Sequence, residues 1–475
     1  MNRARPLVSA VLAVFVSACA VGPDYHAPTP PAGAEAPLVS LNPAAETSAE
    51  PPDDWWRLYD DPELDSLVQQ AFAANTDLAT AQANLSAARA SLEAARNGLY
   101  PQTNVNFGAI YGRDPMTDEI LEIGGHAPKS TWLFDDVLDV SYELDLFGRV
   151  RRSVEASKAD AAAAVAARDA VKVTVAAETT RAYVQLCTLG EQITVARRSI
   201  DVVGHEAQIV DHRREAGAGT EFDVVRTHGL VAQARATLAP LEGQRRAALF
   251  QLTALIGKTP SQAPAEALAC VTPPRLSALI PVGDGAALIR RRPDVRLAER
   301  RLAAATARIG VATADLYPRI SLTGFYGGAA PDIGGLGQET GLIWGVGPKI
   351  NWTFPNMAGP RARIHQAKAG ADAALSSFDG SVLTALKETE QALSIYSAEL
   401  DHRGALAEAQ ADAQRAFDIA HGQFVAGSLS TLDLLTTEQS LVAADAAVAA
   451  SDAALAQDQI AVFKALGGGW KAKAG

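Results

Sequence analysis

The sequence has 475 residues, of which 48% are hydrophobic and 6% aromatic, so it is long enough for two or more domains with hydrophobic cores. This composition excludes an intrinsically disordered chain. The net charge of −12 and the pI near 5.2 argue against nucleic acid and anionic membrane surfaces as partners, because both attract basic proteins.

Residues 1–18 have the features of an export signal. Arg3 and Arg5 precede an apolar stretch that ends in small residues. The sequence around Cys19 resembles the lipoprotein box of bacteria, whose cysteine is acylated and becomes the N-terminus; an ordinary signal peptide followed by a cysteine is the alternative. By the same resemblance, Ala20 favours delivery to the outer membrane. One acylated terminus anchors a protein without spanning the membrane.

The chain contains an internal duplication. Leu99-Tyr100-Pro101 recurs as Leu316-Tyr317-Pro318, and Ala216-Gly217 recurs as Ala426-Gly427, 210 residues later. We therefore expect two halves with the same order of elements: a helix, two strands and a long helical hairpin. The predicted segments are a signal peptide at 1–18, a lipidated extended linker at 19–54, a first repeat at 55–257, an inter-repeat segment at 258–287, a second repeat at 288–467 and a tail at 468–475.

Each half contains two stretches in which apolar residues alternate with polar or small ones, as in a strand with one apolar and one polar face. They cover residues 105–111, 137–147, 320–326 and 344–354. Strands of about 9 to 11 residues can cross a bilayer when tilted, and beyond the signal no run of about 18 apolar residues offers a transmembrane helix. A soluble β-sandwich has the same period and is the alternative.

The polar face of the stretch at 137–147 carries three carboxylates, Asp139, Glu143 and Asp145. If this face lines a pore, the pore is acidic, and we expect it to prefer cations over anions. An anion-selective reversal potential would contradict this expectation.

The stretches that follow the strands are predicted to be long helices. Proline is absent between Pro128 and Pro240 and after Pro360, and strong helix formers dominate both regions. Residues 149–216 alone would form a helix of roughly 100 Å, at about 1.5 Å per residue.

The last helix has a seven-residue repeat. Leu434 and Leu441 begin four successive heptads of apolar residues, a pattern that indicates a coiled coil. Glu438 lies on the opposite, polar side in this pattern. A solvated surface charge is its expected role, and an ion pair with Arg226 is the alternative.

Three motifs carry a resemblance to a known family. They are Cys19-Ala20-Val21-Gly22-Pro23-Asp24-Tyr25, Leu146-Phe147-Gly148-Arg149-Val150-Arg151, and the run from Arg291-Arg292-Pro293-Asp294-Val295 through Ala298-Glu299-Arg300 to Leu316-Tyr317-Pro318. With these motifs, essentially the whole mature chain resembles the lipoprotein branch of the outer membrane factor (TolC-like) efflux family.

The resemblance implies a fold that is mainly α with β: a duplicated α-hairpin coiled-coil tunnel and four membrane strands per protomer. It also implies a homotrimer that shares a twelve-stranded β-barrel in the outer membrane, and two partners, a periplasmic adaptor and an inner-membrane efflux pump. The strand count requires oligomers independently, because four strands leave open edges in lipid. Two copies give eight strands and three give twelve, and the resemblance selects three.

The resemblance further implies that acidic residues at the turns between paired long helices form a gate. Asp433 occupies such a position beside Leu432, whereas Thr436 stands where relatives often have a second acid. Asp223 is the equivalent of Asp433 in the first repeat. Helix capping is the alternative role, because Ser or Thr precedes each aspartate by three residues, and the two roles are compatible.

Cys187 and Cys270 are two further cysteines in a chain that is exported to an oxidising compartment. Both are predicted to lie about 45 to 50 Å from the tip of the first helical hairpin, so a disulfide between them is allowed. Two buried free thiols are the alternative, because equal height does not fix the direction in which each side chain points.

Enzyme motifs are broken in this sequence. Gly257-Lys258-Thr259 ends like a phosphate-binding loop, but Leu252 stands where that motif requires glycine. His205-Glu206 would begin a zinc-protease motif, but Ile209 replaces its second histidine. We expect no catalysis, no metal and no cofactor other than the covalent lipid on Cys19.

Together these features predict a gated outer-membrane channel that conducts substrates passively while an inner-membrane pump supplies the energy. A lipid-anchored periplasmic coiled-coil scaffold or adaptor without a pore is the alternative. The alternative predicts that the alternating strands stay in water.

Overall fold

A computed structural model of the protein describes residues 20–113, 130–276 and 279–470. In chain order, its strands and α-helices are β1 (Glu46–Thr47), α1 (Pro62–Ala74), α2 (Thr76–Asn97), β2 (Gln102–Gly112), β3 (Thr131–Glu143), α3 (Arg149–Glu215), α4 (Glu221–Leu255), β4 (Ile280–Pro281), α5 (Gly285–Arg291), α6 (Pro293–Ala314), β5 (Arg319–Ala330), β6 (Leu342–Asn351), α7 (Ala358–Val425) and α8 (Thr431–Ala465). None of these described helices combines the length and apolar composition needed to cross a membrane.

The two halves of the chain repeat one order of elements. α2 and α6 have 22 residues each, and each precedes a pair of strands. α3 and α7 then extend for 67 and 68 residues, and α4 and α8 for 35 each. The fold is mainly α with β, as the sequence predicted.

The compact units of the structure do not follow the sequence repeats, because each unit contains segments of both halves. The first, called the sheet unit below, comprises the described residues of Met1–Pro28 together with Leu85–Ala164 and Ala298–Phe378. The second, called the helical unit below, comprises Thr29–Asn84, Val165–Leu297 and the described residues of Asp379–Gly475.

The sheet unit contains one antiparallel sheet with the strand order β2-β3-β5-β6. Both hairpins of the duplicated sequence contribute two neighbouring strands, so all four predicted strands are present. β2 and β6 are its edges, and each has a single partner strand in the described parts of the chain. β3 differs from the predicted stretch at 137–147, since it begins at Thr131 and ends at Glu143.

The helical unit is held together by a continuous apolar core. Trp55 stacks on Phe463 with ring centroids 4.7 Å apart, and Leu64, Leu252 and Leu393 are fully buried around them. These residues come from the N-terminal segment and from four different helices, so the core fastens distant parts of the sequence together.

The turns between the long helices use the same backbone geometry in both halves. Gly217 and Gly427 have φ angles of 74° and 75°, a left-handed conformation that costs glycine little. In the first turn the backbone N–H of Ala218 donates to the carbonyl of Arg213 at 2.8 Å, and Ser428 donates likewise to Gln423 at 2.9 Å in the second. Both helices therefore end in a Schellman-type cap, which explains the duplicated Ala-Gly sequence.

The heptad positions of α8 lie inside the helical unit, as the coiled-coil pattern predicted. Leu434 and Leu441 are buried, together with Val462 near the end of the helix. The expectation that Glu438 is a solvated charge is wrong, because this side chain is 2% exposed. α8 packs against α3 as well as α7, so its nominally polar side is also covered.

Candidate functional site

One face of the sheet is apolar and exposed to its surroundings. The strand register aligns Val105, Leu138, Tyr326 and Trp344 in one row across all four strands, and each is at least 40% exposed. Val346 extends the same face in the next row at 72% exposed. An apolar patch that spans a whole sheet marks a surface for lipid or protein contact.

The opposite face of the sheet is polar. Asn104, Asp139 and Phe325 share a row on this face, and Asn106 lies two residues further along β2. The Nδ2 of Asn106 donates a hydrogen bond of 2.6 Å to Asp139 Oδ2, so this carboxylate has an amide partner and no arginine partner among the described contacts. The two faces differ in the way expected of a sheet between lipid and water.

Glu143 and Asp145 do not share the environment of Asp139. Glu143 is the last residue of β3, and its carboxylate accepts two hydrogen bonds from Arg149, the first at 2.9 Å. Asp145 lies beyond the strand with a φ of 43°, and its carboxylate accepts the backbone N–H groups of Val150 and Arg151. The predicted strand residue Asp145 is therefore a helix cap for α3, because those N–H groups have no partner within the helix.

Each of the two helix turns places an aspartate at the third position of the returning helix. Thr220 caps α4, and Asp223 completes a reciprocal capping box with it. Ser430 caps α8 by accepting the N–H of Asp433 at 3.2 Å, and its hydroxyl donates to the Asp433 carboxylate at 2.7 Å. Capping uses only part of the acceptor capacity of Asp433, whose side chain is exposed.

An exposed apolar residue directly precedes each of the two aspartates. Leu432 is 48% exposed, and its carbonyl accepts a hydrogen bond of 2.8 Å from the hydroxyl of Thr436. Phe222 is the equivalent of Leu432 in the first repeat and is 71% exposed. Sequence reasoning missed Phe222, although the 210-residue offset of the duplication identifies it.

Arg213 connects the two helical hairpins near these turns. Its Nη1 lies 3.4 Å from the hydroxyl oxygen of Thr431, and its guanidinium lies over the ring of Phe424 at 4.8 Å from the centroid. An arginine over an aromatic face adds a cation–π attraction to the hydrogen bond. The first turn of α8 is therefore tied to the end of α3.

Cys187 and Cys270 form a disulfide in the structure, with the sulfur atoms 2.04 Å apart. Cys187 lies on α3, and Cys270 follows a short 3₁₀ turn at Glu266–Ala269 in the inter-repeat segment. The bond thus joins that segment to the first helical hairpin.

Two residues that the sequence did not reveal surround the disulfide. The guanidinium of Arg245 donates to the carbonyls of Leu268 and Cys270 at 2.7 Å each. A Cβ at Gly190 would lie 2.6 Å from the carbonyl oxygen of Cys270, so only glycine permits this close approach. Side chains, backbone and disulfide all hold the inter-repeat segment against α3 and α4.

Comparisons of the sequence and of the structure with known proteins identify the same family. The profile described as outer membrane efflux protein matches residues 67–258 and 286–468. The chain is 30% identical over 429 residues to the pyoverdine export outer membrane protein OpmQ of Pseudomonas aeruginosa, with 88% of each chain covered. The chain belongs to the outer membrane efflux protein family.

Two further relatives of this outer membrane efflux protein extend the comparison to nearly its whole length. The toluene efflux pump outer membrane protein TtgF of Pseudomonas putida is 28% identical over 471 residues, covering 98% of this chain and 96% of TtgF. The solved structure of the outer-membrane channel OprN matches with a TM-score of 0.84 and 34% identity over 95% of this chain and 100% of that one.

The efflux protein is thus an outer-membrane efflux channel, and its family is a transport family. This assignment rejects the alternative of a coiled-coil scaffold without a pore. Within the ranges that the structure describes, no three His, Cys, Asp or Glu side chains are arranged to hold a metal ion.

Cys19 lies outside the described residues, but the chain that follows it is fixed in the sheet unit. Ala20 packs so closely on Gly148 that a Cβ on this glycine would lie 2.5 Å from the Ala20 Cβ. The buried Arg152 forms an ion pair with Asp24, its Nη2 lying 2.7 Å from Oδ1. These contacts give a structural reason for the motifs at 19–25 and 146–151.

Loss of the disulfide is expected to destabilise the helical unit of the efflux protein. The bond joins residues that are 83 positions apart, and a loop of this length contributes roughly 4 to 5 kcal/mol in the chain-entropy model. The double variant Cys187→Ser/Cys270→Ser should therefore have a lower thermal midpoint and faster hydrogen exchange at 259–276.

Addition of reductant to this double variant is the matched control and should change neither quantity. Two results together would contradict the disulfide. The thermal midpoint of the double variant would equal that of the wild type, and two thiols of the unfolded wild-type protein would react with iodoacetamide without reductant.

Proposed function

We propose that three copies of this efflux protein form one gated channel, which passively conducts substrates that an inner-membrane pump delivers with a periplasmic adaptor. One observation carries the proposal: a four-stranded sheet with an exposed apolar face and two open edges. In this arrangement the protein supplies a conduit and no chemistry, since the pump provides the energy.

The open edges support a shared barrel. The outer edges of β2 and β6 carry N–H and C=O groups that are not paired with another strand within the described ranges. Leaving such a group without a hydrogen bond in hydrocarbon costs several kcal/mol. Joining β6 of one copy to β2 of the next satisfies these groups and closes the sheet. Three copies of four strands give the twelve-stranded barrel that the resemblance to the TolC-like family implies.

A lipid anchor on Cys19 agrees with the contacts of the following residues. Ala20 and Asp24 are held in the sheet unit, beside the start of α3 that directly follows β3. An acyl chain on the preceding cysteine would therefore enter the same membrane as the strands. It would add to the membrane attachment that the strands provide and would not replace it.

The turns between the long helices are proposed as the periplasmic gate. Asp433 and Asp223 each lie in the capped first turn of a helix and keep carboxylate oxygens available, while Leu432 and Phe222 beside them are exposed. Three copies would place three equivalents of each residue around one axis, where carboxylates attract cations and apolar side chains narrow the passage. Thr436 adds a hydroxyl that is already bonded to its own helix.

An apolar groove supports a helical partner of the kind that an adaptor provides. It has a volume of about 530 Å³ and lies between α3, α4 and α8 within the helical unit, lined by residues such as Val203, Leu230 and Val442.

Pyoverdine and toluene occur in the names of relatives with nearly equal identity to this chain. We therefore assign the choice of cargo to the pump rather than to this chain.

The mass of the particle tests the shared barrel and the anchor together. Native mass spectrometry of protein extracted from outer membranes in mild detergent should give three chains per particle. It should also give an acyl increment on the peptide that begins at Cys19, which is absent in Cys19→Ser. A monomeric particle would contradict the barrel, whereas a trimer without the increment would contradict only the anchor.

The charge of Asp433 is expected to control conductance at low salt. In planar bilayers, Asp433→Asn should lower the single-channel conductance about twofold in 0.1 M KCl and much less in 1 M KCl, because salt screens the carboxylate ring. Ser430 remains the N-cap, and the Oδ1 of asparagine can still accept the hydrogen bond from its hydroxyl, so hydrogen exchange at the turn should stay unchanged. Equal conductance of variant and wild type at both salt concentrations would remove Asp433 from the gate.

The sheet lumen is expected to select cations mainly through Asp139, because Glu143 and Asp145 are each engaged by arginine or backbone groups. The reversal potential in a KCl gradient should indicate a permeability ratio of potassium to chloride above one, which falls towards one in Asp139→Asn. Glu143→Gln frees Arg149 and should lower the ratio further. Anion selectivity of the wild type would overturn this assignment.

A further inference from the structure

Two buried carboxylates from different helical hairpins lie near the turns of the helical unit. A small apolar cluster of Ala420, Phe424 and Leu434, with Ile209 against it, joins α3 to α7 and α8. Glu438 is four residues beyond Leu434 on α8, and Glu206 is three residues before Ile209 on α3. Each is therefore about one helical turn away from the cluster, on the same side. Their exposed fractions are only 2% and 3%.

Glu438 is buried without adequate polar partners. Its Oε1 atom has no hydrogen-bond partner in the described parts of the chain. Burial, and secondly the charge of Glu206, raise the pKa of Glu438 from 4.5 to about 7. A buried carboxylate in such a place is normally neutralised by a proton, since an unpaired charge there is costly.

Glu206 has a basic neighbour on the other hairpin. The Nδ1 of His421 on α7 lies 3.9 Å from Glu206 Oε1. Burial raises the pKa of Glu206, while the charges of His421 and of the adjacent His205 act in the opposite direction. A protonated His421 therefore stabilises an ionised Glu206 across the contact between the hairpins.

Other charged and titratable groups on the surrounding helices have partners of their own. On α3, Arg213 contacts the hydroxyl of Thr431 and lies over the ring of Phe424. On α4, His228 contacts the carboxylate of Asp211 at 3.1 Å. On α7, Asp418 accepts a hydrogen bond from Gln414, and on α8, Asp445 accepts one from Gln410. Each of these groups is engaged with a partner other than Glu438.

We propose that Glu206 and Glu438 form a proton-binding site that fastens the two helical hairpins to each other and releases them as the pH rises. In mild acid, Glu438 is protonated and does not repel Glu206, so the contact is stable. At alkaline pH both glutamates are ionised, so two carboxylates repel each other in a buried contact.

The sign and the size of the effect follow from linkage. The raised pKa makes the contribution of Glu438 to the contact greatest in acid, and this contribution is lost as the pH rises through about 7. If Glu438 titrates near 4.5 once the hairpins separate, the ratio of open to closed contact should rise about tenfold between pH 6 and pH 8.

Hydrogen exchange of the full protein in detergent tests the proposal. Rates for peptides that cover Leu434–Leu441, corrected for the intrinsic pH dependence of exchange, should rise about tenfold from pH 6 to pH 8 in the wild type. In Glu438→Gln, which is neutral throughout, the corrected rates should be the same at both pH values. The control Glu408→Gln removes an exposed charge from the same hairpin and should keep the wild-type response.

A wild type without any pH response, or a Glu438→Gln variant that keeps the full response, would overturn the proposal. If Glu438→Gln does not fold, infrared spectra of wild-type protein with isotope-labelled glutamate decide the question. A protonated-carboxyl band present at pH 6 and lost by pH 8 supports the site, and its absence at pH 6 rejects it. These measurements require no conduction, so their outcome is separate from that of the channel proposal.

Discussion

Unpaired backbone groups at the edges of one four-stranded sheet constrain the whole structure. The sheet exposes an apolar face, so its edges must be satisfied where water is scarce, and another strand is the partner that does this along the full edge. The four strands of this sheet in the described ranges are too few to close on themselves. The proposed assembly therefore follows from the backbone chemistry of the sheet edges.

Beyond the strands, long helices depend on packing along their length rather than on a single compact core. The seven-residue period of α8 places Leu434 and Leu441 inside the helical unit. Near the other end of the hairpin, the disulfide and Arg245 hold the inter-repeat segment in place. The contact between the hairpins at Glu206 and Glu438 differs from both, because buried carboxylates weaken it as they ionise.

The helix turns combine two demands on the same side chains. Asp223 accepts the backbone N–H of Thr220, and Asp433 accepts the hydroxyl of the N-cap residue Ser430. A carboxylate in the first turn also interacts favourably with the helix dipole. Neither demand uses all of the carboxylate oxygens. A capping residue can therefore also present charge to a passage, which is why capping and gating are compatible.

The sequence by itself determined the periodic features: four strands from alternation, long helices from composition and the absence of proline, and the duplication from recurring motifs. Tertiary structure decided which sides of those elements are covered. Asp145 lies outside β3 because its carboxylate caps the start of α3. Glu438 is buried because a second helix covers the polar side of α8. The pairing of Cys187 with Cys270 likewise depended on direction around the helix, which spacing along the chain does not specify. Periodicity is a local property of the chain, whereas burial and pairing depend on neighbours that are distant in sequence.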